Sequence, residues 1–146
     1  MSENAFLNGK VIKRSLPTVE PQNAPGSPTL KRLLLPQGEL AQFFDGEEPV
    51  RYLAYIELRS GNARGNHFHK SKDEWIYMLS GEAVLWVEDV ETRQQDKLSL
   101  KVGDLAFVRT GVAHAIHVVQ SGQAIEFSSA RFDARDIYKY PITLRA

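Results

Sequence analysis

Arg64-Gly65-Asn66-His67-Phe68-His69, followed by Glu74 and Gly81, is the stretch on which the reading of this chain turns. Residues two apart on a β-strand face the same side. His67 and His69 are therefore expected to look in one direction from one strand. Glu74 follows the Lys70-Ser71-Lys72-Asp73 connection and opens an apolar run. The two remaining histidines lie in a second segment, which begins at Gly103-Asp104 and continues through Arg109-Thr110-Gly111-Val112-Ala113-His114-Ala115-Ile116-His117. A lone histidine in an apolar strand is usually a satisfied core residue. Three at ligand spacing beside a carboxylate are not easily explained that way, and they mark His67, His69, Glu74 and His114 as candidate metal ligands. Imidazole and carboxylate donors suit iron, manganese, nickel, zinc or copper, so the expected cofactor is a divalent transition metal of unspecified identity. The chain has no cysteine, which excludes thiolate ligands and disulfides.

Around this stretch the chain is strand after strand. Leu30–Leu35, Arg51–Leu58, Glu74–Leu79, Ala83–Glu88, Lys97–Lys101, Leu105–Val108, Ala115–Val119 and Ala124–Ser128 are short and rich in β-branched and aromatic residues. Turn signals separate them: Asp45-Gly46, Ser60-Gly61, Ser80-Gly81, Gly103-Asp104 and Ser121-Gly122. No segment carries a long 3.6-residue periodicity, so the pattern predicts an all-β sandwich or barrel. Pro17, Pro21, Pro25 and Pro28 exclude helix and central strand near the N-terminus. Residues 1–28 are read as an extended arm, either a loose terminus or a strap to a second subunit, and residues 29–146 as a single barrel.

Composition narrows the function. Of 146 residues, 42% are hydrophobic and 25% charged, and 18 basic residues balance 18 acidic ones. That balance argues against a nucleic-acid partner. No apolar run reaches the ~20 residues of a membrane span, and the first residues carry no signal-peptide core. Together with the lack of cysteine, this reads as a cytoplasmic protein with a small-molecule substrate.

The two motifs resemble those of the cupin superfamily. His67-x-His69, four residues, Glu74, six residues and Gly81 satisfy the first cupin motif. Gly103, five residues, Arg109-Thr110-Gly111, two residues and His114 satisfy most of the second, with Arg109 in place of proline and Val118 in place of asparagine. The resemblance spans roughly residues 50 to 130. It implies a jelly-roll, double-stranded β-helix barrel, with the three histidines and Glu74 as the metal site.

A narrower resemblance is carried by Arg64-Gly65-Asn66-His67-Phe68-His69-Lys70, by His114-Ala115-Ile116-His117 and by the ending Arg131-Phe132-Asp133-Ala134-Arg135-Asp136-Ile137-Tyr138. These are similar to motifs of nucleotide-sugar 3,4-ketoisomerases and of the related 3,5-epimerases. The resemblance implies proton shuttling next to a keto group, with His67 as general base. Arg64 and Arg59 would hold a pyrophosphate, the alternative being ordinary surface charge. The ketoisomerases generally work without metal and have an uncharged residue where this chain has Glu74. Glu74 therefore points to a metal-binding isomerase or epimerase, with a metal-dependent dioxygenase and a non-catalytic ligand-binding cupin as alternatives.

Strand parity places Ile76, Met78, Ile116 and Val118 with the ligands, as an apolar wall of which Ile76, Met78 and Ile116 are expected to meet substrate. Tyr77 and His117 should point away. Phe107 and Trp86 are expected in the core. Glu126 is read as outward-facing, with a pocket acid as the alternative, and Glu47-Glu48 as a solvated loop. Open sheet edges predict a homodimer, with the N-terminal arm and the Tyr138–Leu144 tail as candidate covers.

Overall fold

Along β6 (Tyr52–Leu58), Leu53, Tyr55 and Glu57 are exposed while Ile56 and Leu58 are buried, the alternation of a strand with one face on a core. A computed structural model describes residues 2–19 and 26–146. It is built almost wholly of such strands. The others are β1 (Ser2–Phe6), β2 (Val11–Ser15), β3 (Thr18–Val19), β4 (Lys31–Leu35), β5 (Gly38–Gln42), β7 (Ala63–Phe68), β8 (Glu74–Asp89), β9 (Gln95–Lys101), β10 (Asp104–Val108), β11 (Val112–Ser128) and β12 (Tyr138–Lys139). The main sheet has nine strands in the order β1-β2-β10-β8-β11-β7-β12, with β6 on β11 and β9 on β8. A second, three-stranded sheet joins β3, β4 and β5. The architecture is the expected all-β jelly-roll barrel. No helix among the described residues is long and apolar enough to cross a membrane.

Two long strands organise the barrel. β8 pairs with β10 through its first half and with β9 through its second. β11 pairs with β7 and then with β6, while lying antiparallel to β8 along most of its length. The Ser80-Gly81 and Ser121-Gly122 pairs, expected to end strands, instead lie inside them. A Cβ on Gly122 would stand 2.1 Å from the Ser80 carbonyl oxygen, and one on Gly81 2.6 Å from that of Gln120. The glycines let the two backbones touch where both strands bend and the register slips. They carry the chain around the barrel without breaking it.

The N-terminal segment also differs from expectation. Residues 2–15 are not a free arm: β1 and β2 form a hairpin, and β2 pairs in register with β10 from Asp104↔Ser15 to Val108↔Val11. Val11 is fully buried and Phe6 packs on the core. Short alternating stretches such as Val11-Ile12-Lys13-Arg14-Ser15 satisfy the backbone by pairing, which the prolines further along could not do. Pro21 and Pro25 fall in residues 20–25, outside the described residues.

The interior is filled by Ile56, Leu58, Ile76, Met78, Leu85 and their neighbours. Trp86 and Phe107 are only half-buried. Both lie on the outer face, because their parity is opposite to that of Leu85, Val87, Ala106 and Val108.

Gly122→Ala is expected to lower stability by about 2–4 kcal/mol, since only backbone movement can relieve the clash with Ser80. Urea unfolding at neutral pH measures this. An unchanged midpoint would show that the β8–β11 crossing is not the tight approach described.

Candidate functional site

Three strands, β7, β8 and β11, and the loop between β7 and β8 bring the first-motif and second-motif residues together. β7 and β11 pair His67 directly with His114, and the register slips immediately afterwards. Gly65 and Asn66 have positive φ angles of 96° and 58°, and a Cβ on Gly65 would lie 2.7 Å from the His114 carbonyl oxygen. Asn66 is thus the extra residue of a β-bulge. Without it, Arg64 and His67, three apart, would face opposite sides. With it, both line one cavity. Asn66 is held by the tail: its carbonyl oxygen accepts from the Tyr140 amide at 2.8 Å and its Oδ1 from the Ile142 amide at 3.0 Å.

The cavity measures about 390 Å³, with Ile56, Ile76 and Ile116 on its apolar wall. The ligand nitrogens of His67, His69 and His114 all lie within 4.8 Å of one another. Glu74, 2% exposed, adds its Oε2 at 3.2 Å from His69 Nε2 and 3.5 Å from His114 Nε2. Each buried ring is oriented from behind. His69 Nδ1 lies 2.7 Å from the Asp136 carbonyl oxygen, and His114 Nδ1 lies 3.1 Å from that of Val112. A carbonyl only accepts, so both Nδ1 atoms carry the proton and both Nε2 atoms turn inward. His114 Nε2 has no hydrogen-bond partner.

Inward nitrogen lone pairs facing a carboxylate repel it unless a cation stands between them. A proton on Nε2 or a metal ion meets that need, and the backbone-oriented rings match the arrangement of metal-ligating histidines. The residues present therefore fit a divalent metal. Electrostatics agree in direction. Burial opposes ionisation of Glu74, yet the neighbouring His114 and His69 hold its carboxyl well below the usual range. Burial likewise opposes charge on His69, but Glu74 and the Asp136 carbonyl raise it overall. His67 goes the other way: burial, then the nearby His114 and His69, lower it to about 4.

Several cavity residues escaped the sequence reading. Glu126 takes the alternative, a pocket acid, rather than the outward position: its cross-strand neighbours Ala54 and Ile76 face inward, and it lines the cavity. Burial and the adjacent Glu74 push it up to about 9, so it is protonated at neutral pH. Lys72, 7% exposed, lies 3.8 Å from Glu126 and 3.8 Å above the Tyr52 ring. Tyr52 in turn stacks on Phe132 at 6.1 Å. Lys72 sits in the quoted stretch but read as a loop charge, and nothing in the sequence links it to Tyr52.

Of the other expected residues, Arg64, Ile76 and Ile116 line the cavity. Met78 is fully buried in the core behind it. Arg59 lies outside, ion-paired with Glu57 at 3.0 Å with its side chain 76% exposed. His117 points away from the ligands, as its parity required, and stacks on Trp86 at 3.7 Å.

The family profile described as "Cupin domain" matches residues 54–128, and the chain belongs to that family. No curated protein sequence matches it. Among solved structures, it is similar to the Mycobacterium tuberculosis rmlC epimerase at 14% identity and TM-score 0.73, over 95% of this chain and 72% of that one. A 3,4-ketoisomerase from Helicobacter canadensis has 14% identity and TM-score 0.66, over 76% of this chain and 86% of that one. ChmJ, a 3'-monoepimerase from Streptomyces bikiniensis solved with dTDP-quinovose, has 11% identity and TM-score 0.74, over 92% and 71%. At these identities the likeness is one of fold.

In chelator-treated protein the His67 ring is expected to stay neutral until about pH 4. A free imidazole titrates near 6.5, so the unfolded chain takes up this proton first. The contribution of His67 to stability is then complete above about pH 6.5 and is lost as pH falls towards 4. Proton NMR titration of the ring, with His67→Asn to assign it, checks this. A His67 midpoint at or above 6.5 would contradict the site's electrostatics.

Proposed function

We propose that this protein is a metal-binding cupin enzyme that moves a proton next to the carbonyl of a keto sugar, most naturally a nucleotide-linked one. The observation that carries the reading is the orientation of His69 and His114, whose Nδ1 atoms face backbone carbonyls and whose Nε2 atoms face Glu74. His67, His69, His114 and Glu74 would hold a divalent transition metal, which supplies a concentrated positive charge for a substrate oxygen.

The chain's own residues account for the rest. Arg64 and Lys72 bring positive charge to the cavity and suit an anionic substrate. Ile76 and Ile116 exclude water from its wall and strengthen the electrostatics inside. Glu126, protonated beside Lys72, is placed to give up or take back a proton. Fold neighbours that are sugar epimerases and a 3,4-ketoisomerase support the substrate class.

A second reading is favoured by one observation. His67 is the most exposed of the three rings and stays neutral to about pH 4. In metal-free protein it would be the proton acceptor itself, as in a metal-independent isomerase.

Two measurements test these readings together. Elemental analysis of protein purified without added metal should find a near-stoichiometric transition metal that falls sharply in Glu74→Gln. Solvent deuterium should enter a nucleoside-diphosphate 4-keto-6-deoxy sugar at the carbon next to the carbonyl, with His67→Asn slowing this by about 100-fold or more. Exchange without metal would leave the His67-base reading. No exchange with any nucleotide-linked keto sugar would overturn the substrate class.

A further inference from the structure

Glu88 is a buried carboxylate outside the cavity. It has the parity of Trp86, on the outer face of β8, and yet is only 2% exposed. The C-terminal tail covers it. Its oxygens accept from the Tyr140 hydroxyl, from Gln95 Nε2 at 2.5 Å and from Arg93 Nε at 2.9 Å, and Arg145 Nη1 lies 3.6 Å away. Gln95 also grips the tail directly. Its Nε2 donates to the Thr143 carbonyl oxygen at 2.8 Å, and its Oε1 accepts from the Arg145 amide at 2.9 Å.

The same stretch of tail holds the bulge of β7. The Tyr140 and Ile142 amides donate to the two oxygens of Asn66, and His67 is the next residue. The His69 and His114 rings are anchored by backbone carbonyls. Among the described residues the His67 ring has no hydrogen bond of its own and meets the other two rings at centroid distances of 4.9 Å. Its direction therefore rests on the backbone of the bulge.

Apolar packing alone does not select one placement of the tail. Tyr140, Ile142 and Leu144 pack on Phe68, Trp86 and Val90 of their own barrel, and they recur every two residues. A slip that put Ile142 in the place of Tyr140 would keep this period. It would also leave Glu88 without the Tyr140 hydroxyl, so the polar contacts reject it. Replacing a buried ionic network by an apolar residue of similar size is often neutral for stability. What the network supplies is placement. We propose that Glu88 is a positioning residue. It fixes the far half of the tail through Tyr140, and the tail, through Asn66, fixes the bulge that turns His67 into the cavity. Its bearing on catalysis rests on the keto-sugar reading of that cavity; its bearing on geometry does not.

Amide hydrogen exchange and histidine ring resonances, both read by NMR on the full chain in chelator at one neutral pH, test the proposal. In Glu88→Leu the Tyr140 and Ile142 amides should exchange at least ~10-fold faster, while the amides of β8 and β11 keep their wild-type rates. The His67 ring resonances should move and those of His114 should not. Glu88→Gln keeps an oxygen for the Tyr140 hydroxyl, so it should hold tail exchange within ~3-fold of wild type and leave the His67 ring in place. Tyr140→Phe removes only the hydroxyl; it should reproduce Glu88→Leu, and it stands in for that variant if the leucine protein does not fold. An unmoved His67 ring in Glu88→Leu and Tyr140→Phe would overturn the assignment, whatever the tail does. Faster exchange spread evenly over β8 and β11 would overturn it too, as the mark of a merely structural role. Neither readout needs metal or substrate. With a keto-sugar substrate, Glu88→Leu should also lower kcat about 10-fold at nearly constant KM. A wild type that turns over no keto sugar would sink the catalytic reading and leave the amide and ring readouts to decide the role of Glu88.

Discussion

A carboxylate that is 2% exposed has to be met by positive charge, and Glu74 makes that demand at the centre of this barrel. Taking a carboxylate out of water costs several kcal/mol unless a cation or good donors replace the solvent. The described structure brings two buried imidazoles to within 3.5 Å of it and anchors both rings from behind by backbone carbonyls. One of those carbonyls belongs to Asp136, whose carboxylate also accepts from the Lys70 and Ser71 amides. The short turn before the tail thus fixes both the His69 ring and the loop that leads from it to Glu74.

The barrel supplies this centre through backbone irregularities. The Gly65–Asn66 bulge puts Arg64 and His67 on one side of β7. The close glycine approach at Gly81 and Gly122 lets β8 and β11 run on past their bends, so that Glu74 and Glu126 meet across one sheet. Glu126 then faces Glu74 in a site that cannot hold two bare carboxylates, and one of the pair keeps its proton. The cavity therefore contains an ionised acid and a neutral acid side by side.

Much of this was legible in the residues. His67-x-His69 with Glu74 and His114 located the centre, and the two-residue period put Ile76 and Ile116 in its wall. Three things were hidden, each for a physical reason. Ser80-Gly81 and Ser121-Gly122 look like turns because glycine marks both turns and close backbone contacts, and only pairing tells them apart. Glu126 reads as outward or as a pocket acid, and its apolar strand alone does not choose between them; here Ile125 and Phe127 occupy the outer positions under Phe43 and Phe44. Arg59, next to a turn, reads equally as a pyrophosphate ligand or as surface charge, and it lies exposed just past the end of β6, paired with Glu57. Long-range partners such as Lys72 with Tyr52 leave no local signature at all.

Three ring nitrogens converge with one carboxylate at the heart of this site. X-ray absorption of the zinc-reconstituted protein tests this most directly. The spectrum should show three imidazoles at about 2.0–2.1 Å, seen through their outer-shell scattering, with one carboxylate oxygen at a similar distance. A spectrum with no imidazole scattering, or with zinc surrounded only by oxygen, would contradict it.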